Sequence, residues 1–286
     1  MGSFTITDDT MPGSTAPTPG GRTDDEAAGP AVVTRRSEAT VTTSPTHHTL
    51  PGTMPITRAK ADQLFWLGRY GERVYTTLKR FDKTYDSNVD LDAKDFSELC
   101  HELDMPFDPE EPVEALVGEI LYNRDNPSSV SSSMEAAFGN AILLRPELGT
   151  ETSSYVELAL IALRDSGDPA ARLSRHRTVR DDLLAFWGSV EDGMGSTEAK
   201  ALLFFGKYVE RIDLWSRFGT DEALLDRPVR KLIFYLGYVR CPGCLPIAGT
   251  LAGLVESVRA RGYGEFITGR LDAALEEIEG CGKASA

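Results

Sequence analysis

From Thr57 onward the apolar residues of the chain recur at helical spacing. Leu64, Leu67, Gly71, Val74, Leu78, Phe81 and Tyr85 advance in alternating steps of three and four, which lays them along one stripe of a long helix. The same period predicts further helices over about 93–104, 112–123, 130–145, 151–165, 169–192, 197–218, 222–238, 246–261 and 264–279. Breakers separate them: Pro106, Pro109, Asn126-Pro127, Pro146, Gly167-Asp168-Pro169, Gly193 to Gly195, Cys241-Pro242-Gly243 and Gly262. Ser128 or Ser129 is the candidate N-cap of the helix bearing Met134 and Phe138, and Asp168-Pro169 has the form of an N-cap followed by a first-turn proline. Strand-like alternation is nearly absent. The pattern predicts an all-α, multi-helix bundle.

Upstream of this pattern, residues 1–53 are rich in Thr, Ser, Pro and Gly and hold almost no large apolar side chains. Such a stretch cannot bury enough surface to offset the entropy of ordering it, so it is expected to be a disordered tail. The folded domain is expected over 54–280, and Met54 is itself a candidate start.

Two of the predicted helices carry the same motif. Leu64-Phe65-Trp66-Leu67-Gly68-Arg69-Tyr70-Gly71-Glu72-Arg73-Val74 aligns with Leu202-Leu203-Phe204-Phe205-Gly206-Lys207-Tyr208-Val209-Glu210-Arg211-Ile212 at a constant offset of 138 residues. Amphipathic helices share apolar positions by chance, but rarely a Gly, a Tyr and a Glu-Arg pair as well. The repeat therefore predicts pseudo-twofold related halves packed together. On a helical wheel Glu72 lies near Phe65, Arg69 and Thr76, and Arg73 near Trp66, Arg69 and Thr77. Glu210 lies near Leu203, Lys207 and Leu214, and Arg211 near Phe204 and Trp215. Both helices are thus apolar almost all round, which predicts burial, and buried charges must be paired. Two arrangements satisfy that demand. One is a structural lattice in which Glu72 meets Arg211 and Glu210 meets Arg73. The other is a polar pocket where Arg69, Arg73, Lys207 and Arg211 receive an anionic group.

These residues resemble the alpha-E family, a bacterial helical domain named for its Glu-Arg motif. The stretch from Met54-Pro55-Ile56-Thr57-Arg58 to Leu67-Gly68-Arg69-Tyr70 is similar to that family's opening. Asp125-Asn126-Pro127-Ser128-Ser129-Val130 resembles its Asn-Pro-x-Ser-Ile element. Phe138-Gly139-Asn140-Ala141 with Arg145 resembles its Glu-Asn-Ala-x-x-x-Arg helix, with Gly139 where the family favours Glu. The likeness covers about residues 54–240. It implies a component of an ATP-grasp-dependent system that forms amide or peptide bonds, because family members are typically encoded beside, or fused to, circularly permuted ATP-grasp proteins, often with transglutaminase-like peptidases. The implied partner is then a circularly permuted ATP-grasp protein, and the implied substrate a peptide or small amino-acid-like molecule. ATP and Mg would be used by that partner, with no cofactor in this chain. The alpha-E chain would supply a substrate pocket or docking surface, with Arg69, Glu72, Arg73, Asn126, Asn140, Arg145, Lys207, Glu210 and Arg211 as candidate substrate- or anion-binding residues. The alternative is a non-catalytic helical adaptor whose Glu-Arg pairs are structural.

Charge narrows the partners further. Thirty basic against 44 acidic residues give a net charge of −14, a surface that repels phosphate backbones and anionic lipid. Neither nucleic acid nor membrane is an expected partner. No apolar run reaches the roughly 18 residues of a membrane span. Met1-Gly2-Ser3-Phe4 does not open a secretory signal, and Ile6 stands where a myristoylation signal needs Ser or Thr. The four cysteines, Cys100, Cys241, Cys244 and Cys281, are too sparse for a disulfide framework, so the cytoplasm is the expected compartment. Against the acidic background Arg172, Arg175, His176, Arg177 and Arg180 form a basic cluster, of which Arg172, Arg175 or His176, and Arg180 share one helical face. That face is either an anion site or a solvated surface balanced by Asp181 and Asp182. Cys241-Pro242-Gly243-Cys244 lacks a second nearby pair, and Glu98-x-x-His101 lacks the second Glu-x-x-His of a di-iron bundle, so no metal is expected. No phosphate-binding loop, nucleophile elbow or catalytic triad is recognisable.

Overall fold

The long apolar stripe becomes α1, Arg58–Ser87, a helix of 30 residues and so about 45 Å. The computed structural model describes residues 56–87, 93–108, 110–164, 172–239 and 247–284. Along α1, Ala61, Leu64, Leu67, Val74, Leu78 and Phe81 are all fully buried. Ten more helices follow: α2 Ala93–Glu102, α3 Val113–Tyr122, α4 Val130–Leu143, α5 Arg145–Leu148, α6 Thr150–Arg164, α7 Arg172–Gly193, α8 Thr197–Arg217, α9 Glu222–Leu236, α10 Ile247–Ala260 and α11 Glu265–Ala284. Among the described residues there is no strand, and no helix is long and apolar enough to cross a membrane. The fold class is all-α. The expected tail, Met54, the Asp168-Pro169 cap and Cys241 to Cys244 lie outside the described residues.

Helix ends follow local chemistry. Ser129 caps α4 by accepting a 3.1 Å hydrogen bond from Ser132 N, Ser196 caps α8 through Ala199 N, and Asp221 caps α9 through Ala223 N at 2.8 Å. The expected helix over 130–145 instead stops at Leu143 and restarts as the short α5. Pro146 is the reason: it has no N–H to continue the ladder, but fits the first turn of a new helix. Gly219, with φ +61°, makes the tight turn from α8 to α9.

α1 and α8 form the most extensive helix pair of the bundle. α1 also packs against α4 and α7, and α8 against α9 and α10. α8 is buried almost all round, with every residue from Ala201 to Lys207 inside, as its ring of apolar positions predicts. The crossing point is two glycines. A Cβ on Gly68 would lie 2.0 Å from the Leu203 carbonyl oxygen, and one on Gly206 would lie 2.0 Å from that of Phe65. Only glycine at both positions lets the two backbones touch. The exchange is reciprocal for this helix pair, and does not by itself make the flanking helices twofold-related.

Candidate functional site

The close crossing brings the two Glu-Arg pairs into one buried layer. Glu210, 1% exposed, takes Arg69 Nε on Oε2 and Arg73 Nε on Oε1, both at 2.6 Å. Glu72, fully buried, takes Arg211 in a bidentate fork, Nε to Oε1 at 2.6 Å and Nη2 to Oε2 at 2.8 Å. Thr76 Oγ1 adds a 2.8 Å hydrogen bond to Glu72 Oε1. Burial alone would raise the Glu210 carboxyl, but Arg73 and Arg69, by charge and hydrogen bond, outweigh it and hold it below the usual value. Burial likewise opposes the charge of Arg73 and Arg211, and Glu210 and Glu72 more than restore it. The arginines keep a side exposed and lie against aromatic faces, Arg69 over Trp66 at 5.0 Å and Arg211 over Trp215 at 5.7 Å. Each carboxylate is saturated by its own cations. Reciprocal pairing is therefore the arrangement present.

Lys207 does not join this lattice. It is 7% exposed and has no carboxylate within salt-bridge reach among the described residues. Its Nζ sits 3.9 Å from the Trp187 ring centroid, with Phe204 and Tyr208 at 5.3 and 5.9 Å. Burial pulls its pKa down to about 7, with Glu72 opposing and Arg211 assisting. Trp187 can approach because Gly71 leaves room: a Cβ there would stand 3.1 Å from the indole. Tyr235, whose hydroxyl donates to Glu191 at 3.2 Å, stacks on Phe204 and closes this aromatic cluster.

Arg69, Arg73, Lys207 and Arg211 are expected from the sequence to share one solvent-filled pocket, and two small cavities border this layer. A cavity of about 140 Å³ borders Arg69, Arg73 and Glu210, and another of about 100 Å³ borders Arg69 and Trp66; Lys207 and Arg211 line neither. Glu210 holds Arg69 and Arg73 while Glu72 holds Arg211, so the three arginines are divided between two carboxylates.

The large opening lies one turn further along α1. A cleft of about 830 Å³ runs between α1, α7 and the α8–α9 turn, with Thr76, Lys79, Arg80, Lys83, Arg177 and Trp215 among its walls. Thr76 and Trp215 belong to it and also touch Glu72 and Arg211, so the cleft abuts the lattice.

The basic cluster of α7 splits. His176 is buried, Nδ1 at 2.8 Å from Asp82 Oδ1, with its ring edge-on to Phe81. Arg180 reaches the same carboxylate at 3.1 Å. The balancing acid for these two is thus Asp82 of α1, not Asp181 or Asp182, because tertiary packing turns this face inward. Arg172 points to a separate cavity beside Tyr85 and Val113, whereas Arg177, off the expected face, lines the main cleft.

A family model described as Alpha-E, a predicted alpha-helical domain with a conserved ER motif, matches residues 58–225, more than half of the chain. The chain belongs to the Alpha-E family. The matched span runs from the first residue of α1 into α9, and so contains both Glu-Arg helices and the cleft. No curated protein and no solved structure matches the chain.

The other motif residues of this Alpha-E chain sit apart from the lattice. Asn126 is buried and staples the α3–α4 connection, donating to Glu119 Oε1 at 2.6 Å and accepting from Ser128 N at 2.9 Å. Asn140 is half-buried on α4 and Arg145 exposed at the start of α5. Neither makes a hydrogen bond or ion pair to the Glu-Arg residues. Cys100 is buried with a thiol pushed up to about 12 by burial, then by Glu119 and Glu111, while Glu98 and His101 are exposed. Among the described residues no three potential metal ligands come together. Sequence reasoning missed Lys79, Lys83 and Phe218 as site residues. The available signal was the run Lys79-Arg80-x-x-Lys83, one turn beyond the Glu-Arg motif.

Proposed function

We propose that this Alpha-E chain is the substrate-holding component of an ATP-grasp-dependent system that forms amide or peptide bonds. A circularly permuted ATP-grasp partner binds and uses ATP and Mg. The observation that carries the reading is the 830 Å³ cleft set against the saturated Glu-Arg lattice. Its volume falls in the roughly 300–1,000 Å³ range of small-molecule sites. The lattice is the rigid floor: each Glu-Arg contact is internal, which fixes α1 against α8 and through them Thr76 and Trp215. In this reading Glu72, Arg73, Glu210 and Arg211 position the cleft rather than touch the substrate, a peptide or amino-acid-like molecule. The adaptor reading shares the structural role of the Glu-Arg pairs but gives the cleft no ligand.

The test is isolation of the full-length chain from its native host. A circularly permuted ATP-grasp protein should co-purify, and the pair should consume ATP in forming an amide, while the chain alone should not turn over ATP. ATP turnover by the pure chain, or a native complex without an ATP-grasp protein, would overturn the proposal.

A further inference from the structure

The cleft has a chemistry of its own that sets what it can hold. Its cations are Lys79, Arg80, Lys83, Arg177 and Arg180, and its carboxylates Asp82 and Asp221. Most of these are already committed. Arg80 forms a fork on Glu102 at 2.7 and 2.9 Å and lies 5.5 Å over the Phe218 ring. Asp82 is shared by His176 and Arg180. Asp221 is consumed as the N-cap of α9. Lys79 and Arg177 remain: both are exposed, both line the cleft, and neither has an ion-pair partner among the described residues. Two uncommitted cations therefore face one concavity in which Asp82 is neutralised by His176 and Arg180 and Asp221 is turned to the α9 N-terminus, in a chain of net charge −14. A cleft of one sign with low-dielectric walls concentrates the opposite sign.

The walls between these cations are apolar. Trp215 and Phe218 present partly exposed rings, held in place by Arg211 and Arg80. Leu173 and Leu224 complete the rim, and Leu224 is 61% exposed with no apolar cover. A small inorganic anion would use the cations and leave the rings bare. A neutral apolar molecule would use the rings and leave the cations bare.

We infer that the cleft is a binding site for an amphipathic anion, a phosphate or carboxylate head held by Lys79 and Arg177 on an apolar or aromatic body laid against Trp215 and Phe218. The inference rests on the cleft being the binding element proposed above, and not on the presence of an ATP-grasp partner. Its test therefore uses the isolated full-length chain, so that failure of the ligand class and failure of the partner are seen separately.

Calorimetric titration with phenyl phosphate and with benzoate, beside benzyl alcohol as the neutral body and inorganic phosphate as the bare head, reads each half of the site. At least one of the two aromatic anions should bind saturably at one equivalent, and the tighter of the two assigns the head group. Benzyl alcohol and inorganic phosphate should each bind at least about tenfold more weakly, since a charge-assisted contact is lost in one and the ring contact in the other. Lys79→Gln with Arg177→Gln should weaken the anion at least about tenfold with an unchanged melting temperature, because both side chains are exposed. Lys79→Arg with Arg177→Lys should restore it. Ligand-induced change in tryptophan fluorescence should disappear in Trp215→Phe while calorimetric binding persists. Equal affinity for benzyl alcohol, full affinity in the double glutamine variant, or no saturable binding of either aromatic anion would overturn the inference.

Discussion

Gly68→Ala puts two effects of opposite sign in competition. In an isolated helix alanine is favoured over glycine by about 1 kcal/mol. At the crossing, the added Cβ would stand 2.0 Å from the Leu203 carbonyl oxygen and 2.9 Å from Lys207 N. Ordinary heavy-atom contact lies near about 3.5 Å, and both obstructing atoms are backbone, so no rotamer change relieves the clash. α1 and α8 would have to part by roughly 1–1.5 Å, a gap that forfeits about half or more of each dispersion contact. The loss runs along Leu64, Leu67 and Val74 on one helix and Leu202, Phe205 and Ile212 on the other, all fully buried. Unless the side chains follow, the same movement carries the 2.6 Å hydrogen bonds of Arg69 and Arg73 to Glu210 past the limit of useful geometry. The net effect should be a destabilisation of about 3 kcal/mol or more. Gly139→Ala and Gly188→Ala are the controls: both lie inside helices with open space where the Cβ would go, and each should gain up to about 1 kcal/mol. Urea unfolding followed by circular dichroism, compared at constant slope, measures all three. If Gly68→Ala matches or exceeds the parent in stability, the glycine crossing is not what joins the two helices.

Glu210→Gln keeps the shape of the side chain but leaves Arg69 and Arg73 facing a neutral amide in a buried layer, and should cost about 3–5 kcal/mol. Replacing the group together (Glu210→Leu, Arg69→Met, Arg73→Met) should be far milder, and an equal loss in both variants would contradict a purely structural lattice. Because the folded Glu210 carboxyl lies below its ordinary value of 4.5, its contribution is present above that pH and fades as the pH falls through the lower, folded value. Stability of the parent should therefore drop faster in acid than that of Glu210→Gln. Lys207 runs the other way: with its pKa moved from 10.5 to about 7, the unfolded chain binds the proton more readily in between. Its burial penalty is therefore fully felt below pH 7 and lifted as the pH rises towards 10.5, worth up to about 2–3 kcal/mol between pH 7 and 9. The parent should gain on Lys207→Met over that interval, and a pH-independent difference between the two would show that Lys207 stays protonated in its aromatic setting.

The sequence determined the helices and their faces. Leu64 to Phe81 alternate by three and four, and that period makes one stripe of the helix a buried side. It also determined that Glu72 and Glu210 would be buried and paired, because both Glu-Arg helices are apolar nearly all round and an unpaired buried charge is too costly to keep. The matched glycines were visible in the repeat, but that Gly68 and Gly206 meet each other is a property of the crossing. Tertiary structure alone decided the rest. It gave Arg69 and Arg73 to one carboxylate and Arg211 to the other. It placed Lys207 against Trp187 rather than an acid, and took His176 out of a basic surface by offering Asp82 from 94 residues away. It also set Lys79, Arg177 and Trp215, from three different helices, around one cleft. Periodicity specifies which way a side chain leaves its own helix. Which neighbour it meets depends on how helices distant in the chain cross, and that is fixed by close packing over the whole core.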